Sequence, residues 1–197
     1  PVREATPPSA GMRKNQVCGR ILATLDGPWQ VAELQNQTLG SGHPLETRAP
    51  TSCVRWRRLT SLQDWSALGR PHFSGSMAYR CAASLSEAQV TEAAALDLGD
   101  VRHAAQVFVN GRYLGASPWR PFVLPAAGCW RVGRNEIRIV VTNTLANQVM
   151  NPRETAFAKR RGWYNNYAVM AEPFQRESLV SGLLGPVCIL ASTSTQR

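Results

Sequence analysis

Two segments of the sequence place aromatic rings beside amide or guanidinium groups. The first runs from Ser117 to Pro121, where prolines flank an aromatic–arginine pair, and the second is Arg-Gly-Trp-Tyr-Asn-Asn-Tyr at 161–167. An aromatic face can stack on the apolar face of a pyranose ring, while Asn and Arg hydrogen-bond to its hydroxyl groups. The pattern therefore predicts carbohydrate binding. The candidate contacts are Trp119, Arg120, Trp163, Tyr164, Asn165 and Asn147.

The same rings also have a structural interpretation. Trp119 can cap a sandwich core instead of stacking on sugar, and the rings of 161–167 can pack on the sandwich or on another domain. Trp29, Trp65 and Trp130 are assigned to core or turn packing.

Catalytic patterns are weak. Glycosidases need two carboxylates held around the scissile bond, but most of the 13 acidic residues fall on strand surfaces or in turns, as with Asp26, Asp100 and Glu136. No G-x-S-x-G segment occurs, and the three histidines are scattered in loops. We therefore expect no active site in this chain and do not expect it to be an enzyme by itself.

Composition argues against several other partners. The five cysteines are widely spaced without a CxxC, which disfavours zinc and leaves both disulfide pairing and the redox compartment open. The net charge is +9, yet the arginines that supply most of it are spread out and match no nucleic-acid-binding module. No apolar run is long enough for a transmembrane helix. We predict no nucleic-acid or membrane partner and no cofactor.

The candidate loops must be positioned by strands. Val107–Val109 runs into Asn110-Gly111, a strong signal for a type I′ hairpin turn, and Arg112–Leu114 forms the return strand. Trp119 follows that return strand, so we expect it at the end of the sheet opposite Asn110-Gly111. Whether Thr142, Asn143 and Asn147 share its end stays open. From Glu136 to Thr142 apolar residues alternate with others, which predicts a half-buried strand.

Further strands are predicted where short apolar runs are bounded by turn residues. They are a strand-turn-strand at Ile21–Leu34 and strands at Val54–Leu59, Met77–Ala83, Ala93–Leu98 and Gly185–Leu190. Connections are predicted at Gln35–Ser52, Ser84–Thr91 and Gly99–His103, and a short helix around Glu154–Arg161 within the long polar segment Asn143–Arg176. The fold class is an all-β sandwich of jelly-roll type, with one long irregular loop. We expect a flexible lead-in at 1–20, the sandwich at 21–191 and a tail at 192–197.

Several motifs occur together in a characteristic order. They are LDGPWQV at 25–31, LTSLQDW at 59–65, FSGSMAYR at 73–80, LDLGDVRHAAQVFVNGRYLG at 96–115, VGRNEIRIVVTNTLAN at 132–147 and SGLLGPVCIL at 181–190. The set resembles the galactose-binding-like jelly-roll domain of glycoside hydrolases. It is most similar to the C-terminal sandwich of the α-L-rhamnosidase-like family 106, with the sugar-binding domains of family 2 as neighbours. The resemblance covers about 21–191.

The resemblance implies a non-catalytic carbohydrate-binding or accessory domain of a multidomain glycoside hydrolase. Its partners would be carbohydrate and the catalytic domain of the same polypeptide. The alternative is a purely structural sandwich that buttresses a catalytic barrel without binding sugar, and a weaker one is a protein-interaction module. Family members often carry a structural calcium, but no DxDxG-like loop supports one here.

The chain begins at Pro1 rather than methionine, so we expect a piece of a longer polypeptide. A periplasmic or secreted location is favoured over a cytoplasmic one.

Overall fold

Antiparallel β-strands make up most of the computed structural model, which describes residues 19–38, 46–48, 54–153 and 179–192. The strands are β1 (Ile21–Thr24), β2 (Trp29–Thr38), β3 (Glu46–Arg48), β4 (Arg57–Leu59), β5 (Gly75–Leu85), β6 (Ala93–Asp97), β7 (Asp100–Arg102), β8 (Ala104–Val109), β9 (Arg112–Ser117), β10 (Val123–Pro125), β11 (Gly133–Thr142), β12 (Gly182–Gly185) and β13 (Cys188–Ala191). Two short helices are α1 (Glu87–Glu92) and α2 (Ala146–Val149).

The strands form two main sheets. One has four strands in the order β1-β13-β6-β10, and the other has seven, in the order β3-β2-β5-β11-β8-β9 with β4 also paired to β2. Strands β7 and β12 form a separate two-stranded ribbon. The pairings in both sheets and in the ribbon are antiparallel. This architecture confirms the predicted all-β sandwich.

Strand β11 buries every second residue in the core, as its alternating sequence predicts. Ile137, Ile139 and Val141 are completely buried, while Glu136 and Arg138 are exposed on the opposite face. β11 pairs with β5 on one side and β8 on the other, so it lies in the middle of the large sheet. Burying an apolar side chain of this size contributes about 1.5–3 kcal/mol, which makes β11 a main support of the sandwich.

The core contains a hydrogen-bonded pair of large aromatic residues. Trp65 and Tyr79 have no solvent exposure, and Trp65 Nε1 donates to the Tyr79 hydroxyl at 2.6 Å. The backbone N–H of Leu183 donates to the same hydroxyl at 3.3 Å. The burial of Trp29 and Trp130 likewise confirms their assignment to packing.

The hairpin between β8 and β9 forms at the predicted dipeptide. Asn110 and Gly111 have φ values of 51° and 81°, in the left-handed region that the turn requires. The Asn110 amide also donates to Cys129 O at 3.0 Å and to Asn135 Oδ1 at 2.8 Å. These bonds join the hairpin to the loop before β11, which explains why asparagine is suited to this turn.

Three predicted connections are wrong in part because they contain regular structure. Segment 35–52 includes the end of β2 and the three-residue edge strand β3, and segment 99–103 includes β7. Segment 84–91 includes the end of β5 and most of α1. Ser86 caps α1 by accepting from Gln89 N, while the Gln89 side chain accepts from Ser86 N. Short polar strands at a sheet edge have too few apolar residues to show a period.

One predicted element cannot be compared with the structure. The predicted helix at 154–161 lies outside the described residues, and the helix that is described in this region is α2.

Among the described residues, Cys81, Cys129 and Cys188 are free thiols. Cys81 is buried in the core, and burial raises its pKa to about 12. None of the helices in the described ranges has the length and apolar character of a membrane span.

Candidate functional site

Trp119 lies on a short bend after β9 and points into solvent. Its exposed fraction is 74%, the largest among the exposed large hydrophobic side chains of the described residues. Ser117 Oγ donates to Trp119 O at 2.9 Å and lies 3.5 Å from Pro121 O. The prolines on either side fix φ, so the bend presents the indole on a restrained backbone. Capping of the sandwich core by Trp119 does not fit this exposure.

Arg120 takes part in a charged cluster beside Trp119. The Asp100 carboxylate accepts from Arg120 Nη2. Asp100 also accepts from Arg102 Nε at 3.1 Å on Oδ1 and from Arg102 Nη2 at 3.0 Å on Oδ2. One carboxylate therefore serves two guanidinium groups, and the cluster keeps a net positive charge. The side chain of Arg120 is 64% exposed, so its remaining N–H donors face solvent.

The bend and several strand ends share one end of the large sheet. Ser117 at the end of β9 is in register with Ala105 of β8. Ala104, the first residue of β8, is in register with Thr142 at the end of β11. Asn110-Gly111 occupies the far end of the same strands, which confirms the predicted position of Trp119. The register also settles the open question for Thr142, which shares the end that carries Trp119.

His103 lies at this end, between β7 and β8. Its backbone N–H donates to Thr142 O at 3.3 Å, and its buried Nε2 has no hydrogen-bond partner among the described residues. Burial lowers the pKa of His103, and the positive charge of Arg102 lowers it further. Histidine here is therefore held neutral and packs as part of the scaffold.

Asn147 belongs to a buried network beneath this end. It is 2% exposed and its Nδ2 donates to Leu179 O at 2.7 Å, while its Oδ1 accepts from Asn143 Nδ2 at 3.2 Å. Asn143 also donates to Phe73 O at 2.8 Å and to Ser181 Oγ at 3.0 Å. The structure thus separates Asn147 from the exposed Trp119, and its binding role stays a prediction. Its contacts tie the two sides of segment 154–178 together.

Trp163, Tyr164 and Asn165 lie in segment 154–178, outside the described residues. The described chain stops at Arg153 and resumes at Leu179, whose carbonyl is bonded to Asn147. The role of Trp163, Tyr164 and Asn165 in sugar binding stays a prediction. Of the six predicted site residues, the structure brings together Trp119 and Arg120. Within the described ranges no group of His, Cys, Asp and Glu side chains could hold a metal ion.

The sequence reasoning missed a second surface, on the outer face of the large sheet. An open cavity of about 540 Å³ lies there, lined mainly by polar and charged residues that include Arg58, Arg80, Arg134 and Glu136. The signal was present as the alternation Arg134, Glu136, Arg138 on β11. The alternation alone does not predict the surface, because the other arginines that line it lie on strands distant in sequence.

Comparison with known proteins identifies the kind of protein to which the sandwich is similar. A rhamnosidase from Novosphingobium sp. PP1Y has 30% sequence identity and a TM-score of 0.56, covering 86% of this chain and 15% of that enzyme. A protein named "Putative beta-glucuronidase" from Formosa agariphila is 29% identical over 159 residues, which are 67% of this chain and 14% of that protein. A β-glucuronidase from Ruminococcus gnavus has 13% identity and a TM-score of 0.46 over 65% of this chain and 22% of that one.

The chain is therefore a β-sandwich that is similar to one segment of much longer glycoside hydrolases. It spans about 15% of the length of the rhamnosidase and 14% of the Formosa protein. No protein-family model matches it. The fold comparison depends on the rhamnosidase, which also agrees with the rhamnosidase-like resemblance found in the motifs.

Proposed function

We propose that this chain is a non-catalytic carbohydrate-binding accessory domain of a multidomain glycoside hydrolase. The observation that carries the proposal is the exposed indole of Trp119 on its hydrogen-bonded bend, next to the Arg120–Asp100–Arg102 cluster. Similarity to about 15% of a rhamnosidase supports an accessory role, because most of that enzyme lies outside the matched segment. The finer assignment to the galactose-binding-like domains belongs to the same proposal.

Binding needs no bond to break. The indole stacks on the apolar face of a pyranose ring, and the exposed donors of Arg120 bond to its hydroxyl groups. The Asp100 carboxylate orients Arg120 and has less exposure of its own, 28%. Such a small contact gives micromolar to millimolar affinity, about −4 to −8 kcal/mol. Tethered to a catalytic domain, this domain raises the local concentration of substrate.

Segment 154–178 extends the proposal. Trp163, Tyr164 and Asn165 are its further candidate contacts, because rings and amides are the groups that stack on and hydrogen-bond to sugars.

The test is titration of the chain with L-rhamnose and D-galactose by calorimetry, comparing wild type with Trp119→Ala. We expect the variant to lose about tenfold or more in affinity, as exposed aromatic anchors do. Val132→Ala is the matched control because Val132 is another exposed apolar side chain, 62% exposed, on a different loop. Its affinity should equal that of the wild type.

The structural buttress is the second candidate, because an exposed tryptophan at 74% also suits docking against a neighbouring domain. If neither sugar gives a heat of binding, the buttress is favoured. Circular dichroism and the melting temperature must show that the titrated chain is folded. Equal sugar affinities of wild type and Trp119→Ala would remove Trp119 from the binding surface.

A further inference from the structure

The outer face of the seven-stranded sheet carries a row of side chains that crosses six strands. Successive partners in register, from β4 to β9, are Arg58, Gln30, Arg80, Arg138, Phe108 and Tyr113. Neighbouring strands lie about 4.8 Å apart, so the row is about 24 Å long. We call the surface formed by this row together with Arg134 and Glu136 the arginine face.

Two guanidinium groups in the middle of the row are held by aromatic rings. The guanidinium carbon of Arg80 lies 4.1 Å from the ring centre of Trp56, and Arg80 Nε donates to Gln30 Oε1 at 2.7 Å. The guanidinium carbon of Arg138 lies 4.3 Å from the ring centre of Phe108. Cation–π contacts of this kind fix the planar groups before any ligand arrives.

The charge of the arginine face is not neutralised within the described part of the chain. Four arginines, Arg58, Arg80, Arg134 and Arg138, accompany one carboxylate, Glu136. The ion pairs found among the described residues involve other arginines, such as Arg70 and Arg102. The face therefore offers several forked donors with no carboxylate on them.

The surface is a groove rather than a flat patch. The cavity of about 540 Å³ over Arg58, Arg80 and Arg134 adjoins a second one of about 290 Å³ over Arg138 and Phe108, and Glu136 lines both. Together they follow the sheet from β4 and β2 towards the β8–β9 hairpin. A chain-like ligand could lie along this groove.

We propose that the arginine face binds a polyuronate, a polysaccharide that carries a carboxylate on its sugar units. Each guanidinium fork can donate two parallel hydrogen bonds to a carboxylate, the geometry that arginine is best suited to provide. Gln30 supplies an amide for hydroxyl groups, and Tyr113, 53% exposed at one end of the row, supplies a ring. This site is separate from Trp119, so it adds a ligand class beyond the proposed function.

The chemistry of the groove favours a glycan over other polyanions. Single-stranded nucleic acids need open aromatic faces for base stacking, but guanidinium groups cover one face of both Trp56 and Phe108. Charge complementarity with a carboxylate-bearing glycan remains the best match.

The test is affinity electrophoresis and calorimetry of the full chain with sodium polygalacturonate, beside dextran, dextran sulfate and single-stranded DNA. We expect polygalacturonate to bind more tightly than dextran, dextran sulfate or DNA, and its affinity to fall as salt is added. Arg80→Gln/Arg138→Gln should weaken binding about tenfold or more, since each change removes charge-assisted hydrogen bonds. Arg80→Lys/Arg138→Lys keeps the charge without the fork and should fall between that variant and wild type.

The control is Arg20→Gln/Arg153→Gln, which removes the same charge from exposed positions away from the arginine face. It should bind polygalacturonate nearly as wild type does. The proposal is overturned if polygalacturonate does not bind, if the control loses as much affinity as the face variant, or if dextran sulfate or DNA binds more tightly. A melting temperature near that of the wild type shows that a variant is folded. Loss of neutral-sugar binding by Trp119→Ala is measured separately.

Discussion

At the scale of single residues, Tyr79 shows how a polar atom is accommodated in an apolar core. Its hydroxyl oxygen accepts from Trp65 Nε1 and from Leu183 N, so it is not left unpaired in the core. Burial is the main cause that raises the pKa of Tyr79 to about 12, because the phenolate would lose its hydration.

That pKa makes a prediction about alkaline stability. The unfolded chain releases the Tyr79 proton above about pH 10, whereas the folded chain keeps it to about pH 12. The unfolded state therefore binds fewer protons in this range, and the free energy of unfolding falls as pH rises. Cys81, also raised to about 12, contributes in the same direction. Between pH 9 and 11 the wild type should lose about 1 kcal/mol more than Tyr79→Phe does.

Urea unfolding at each pH measures this difference. Tyr79→Phe keeps the ring and Cys81, so subtracting its pH profile from that of the wild type isolates the hydroxyl. Parallel pH profiles for the two proteins would contradict the raised pKa of Tyr79.

The residue scale is also where the sequence was most informative. The turn at Asn110-Gly111 and the packing of Trp65 both follow from residue type and near neighbours. The exposure of Trp119 does not, because a tryptophan between two prolines is compatible with either a buried or an exposed ring. The burial of Asn147 could not be predicted either, since its partners Leu179 and Asn143 come from separate segments.

At the scale of elements, β12 must approach the core pair closely. Gly182, the first residue of β12, has φ of +119°. A Cβ atom there would lie 2.7 Å from Trp65 Nε1 and 2.9 Å from the Tyr79 hydroxyl. Glycine thus allows the β7–β12 ribbon to close over the end of the core, and the ribbon in turn holds Asp100 and Arg102 next to Arg120.

Gly182→Ala should therefore be strongly destabilising. The backbone strain and the steric overlap each cost about 1–3 kcal/mol, so we expect a loss of about 3 kcal/mol or more. Gly128→Ala is the matched control, since Gly128 also has positive φ, +71°, but has no atom within 4 Å of the added Cβ. It should cost about 1 kcal/mol. Chemical denaturation compares the two, and equal losses would mean that strain alone decides.

Elements were predictable in proportion to their apolar content. Strand β11 could be read directly from its alternation, whereas β3 and β7 have three residues each and little apolar character. Helix α1 carried a readable signal, the Ser86–Gln89 capping box, but it was too short to show a helical period. The arginine face needed the register of β4, β2, β5 and β11 together, which local sequence does not specify.

At the scale of the whole molecule, the two candidate surfaces lie on different parts of the sandwich. The Trp119 bend is at one end of the strands, while the arginine face is the solvent side of the large sheet. A domain with this arrangement can contact a sugar at its end and an extended anionic chain along its side. Neither contact requires a change in the core that joins the sheets.

The ends of the sandwich lie side by side, which suits a domain within a longer polypeptide. β1 and β13 are antiparallel neighbours, and Ala191 N donates to Arg20 O at 2.8 Å. A chain shortened to residues 19–192 keeps every contact described above, so we expect its melting temperature to stay within about 2 °C of the full chain, equivalent to less than about 1 kcal/mol.

Shortening further, to residues 25–192, removes β1 and its pairing with β13. Leu22 and Ala23 of β1 pack against the core, so this chain should melt several degrees lower. Calorimetric melting of the three lengths checks the predicted boundaries at 21 and 191. A large fall on removing only 1–18 and 193–197 would place part of the folding unit outside those boundaries, and the sandwich would then need its flanking residues for stability.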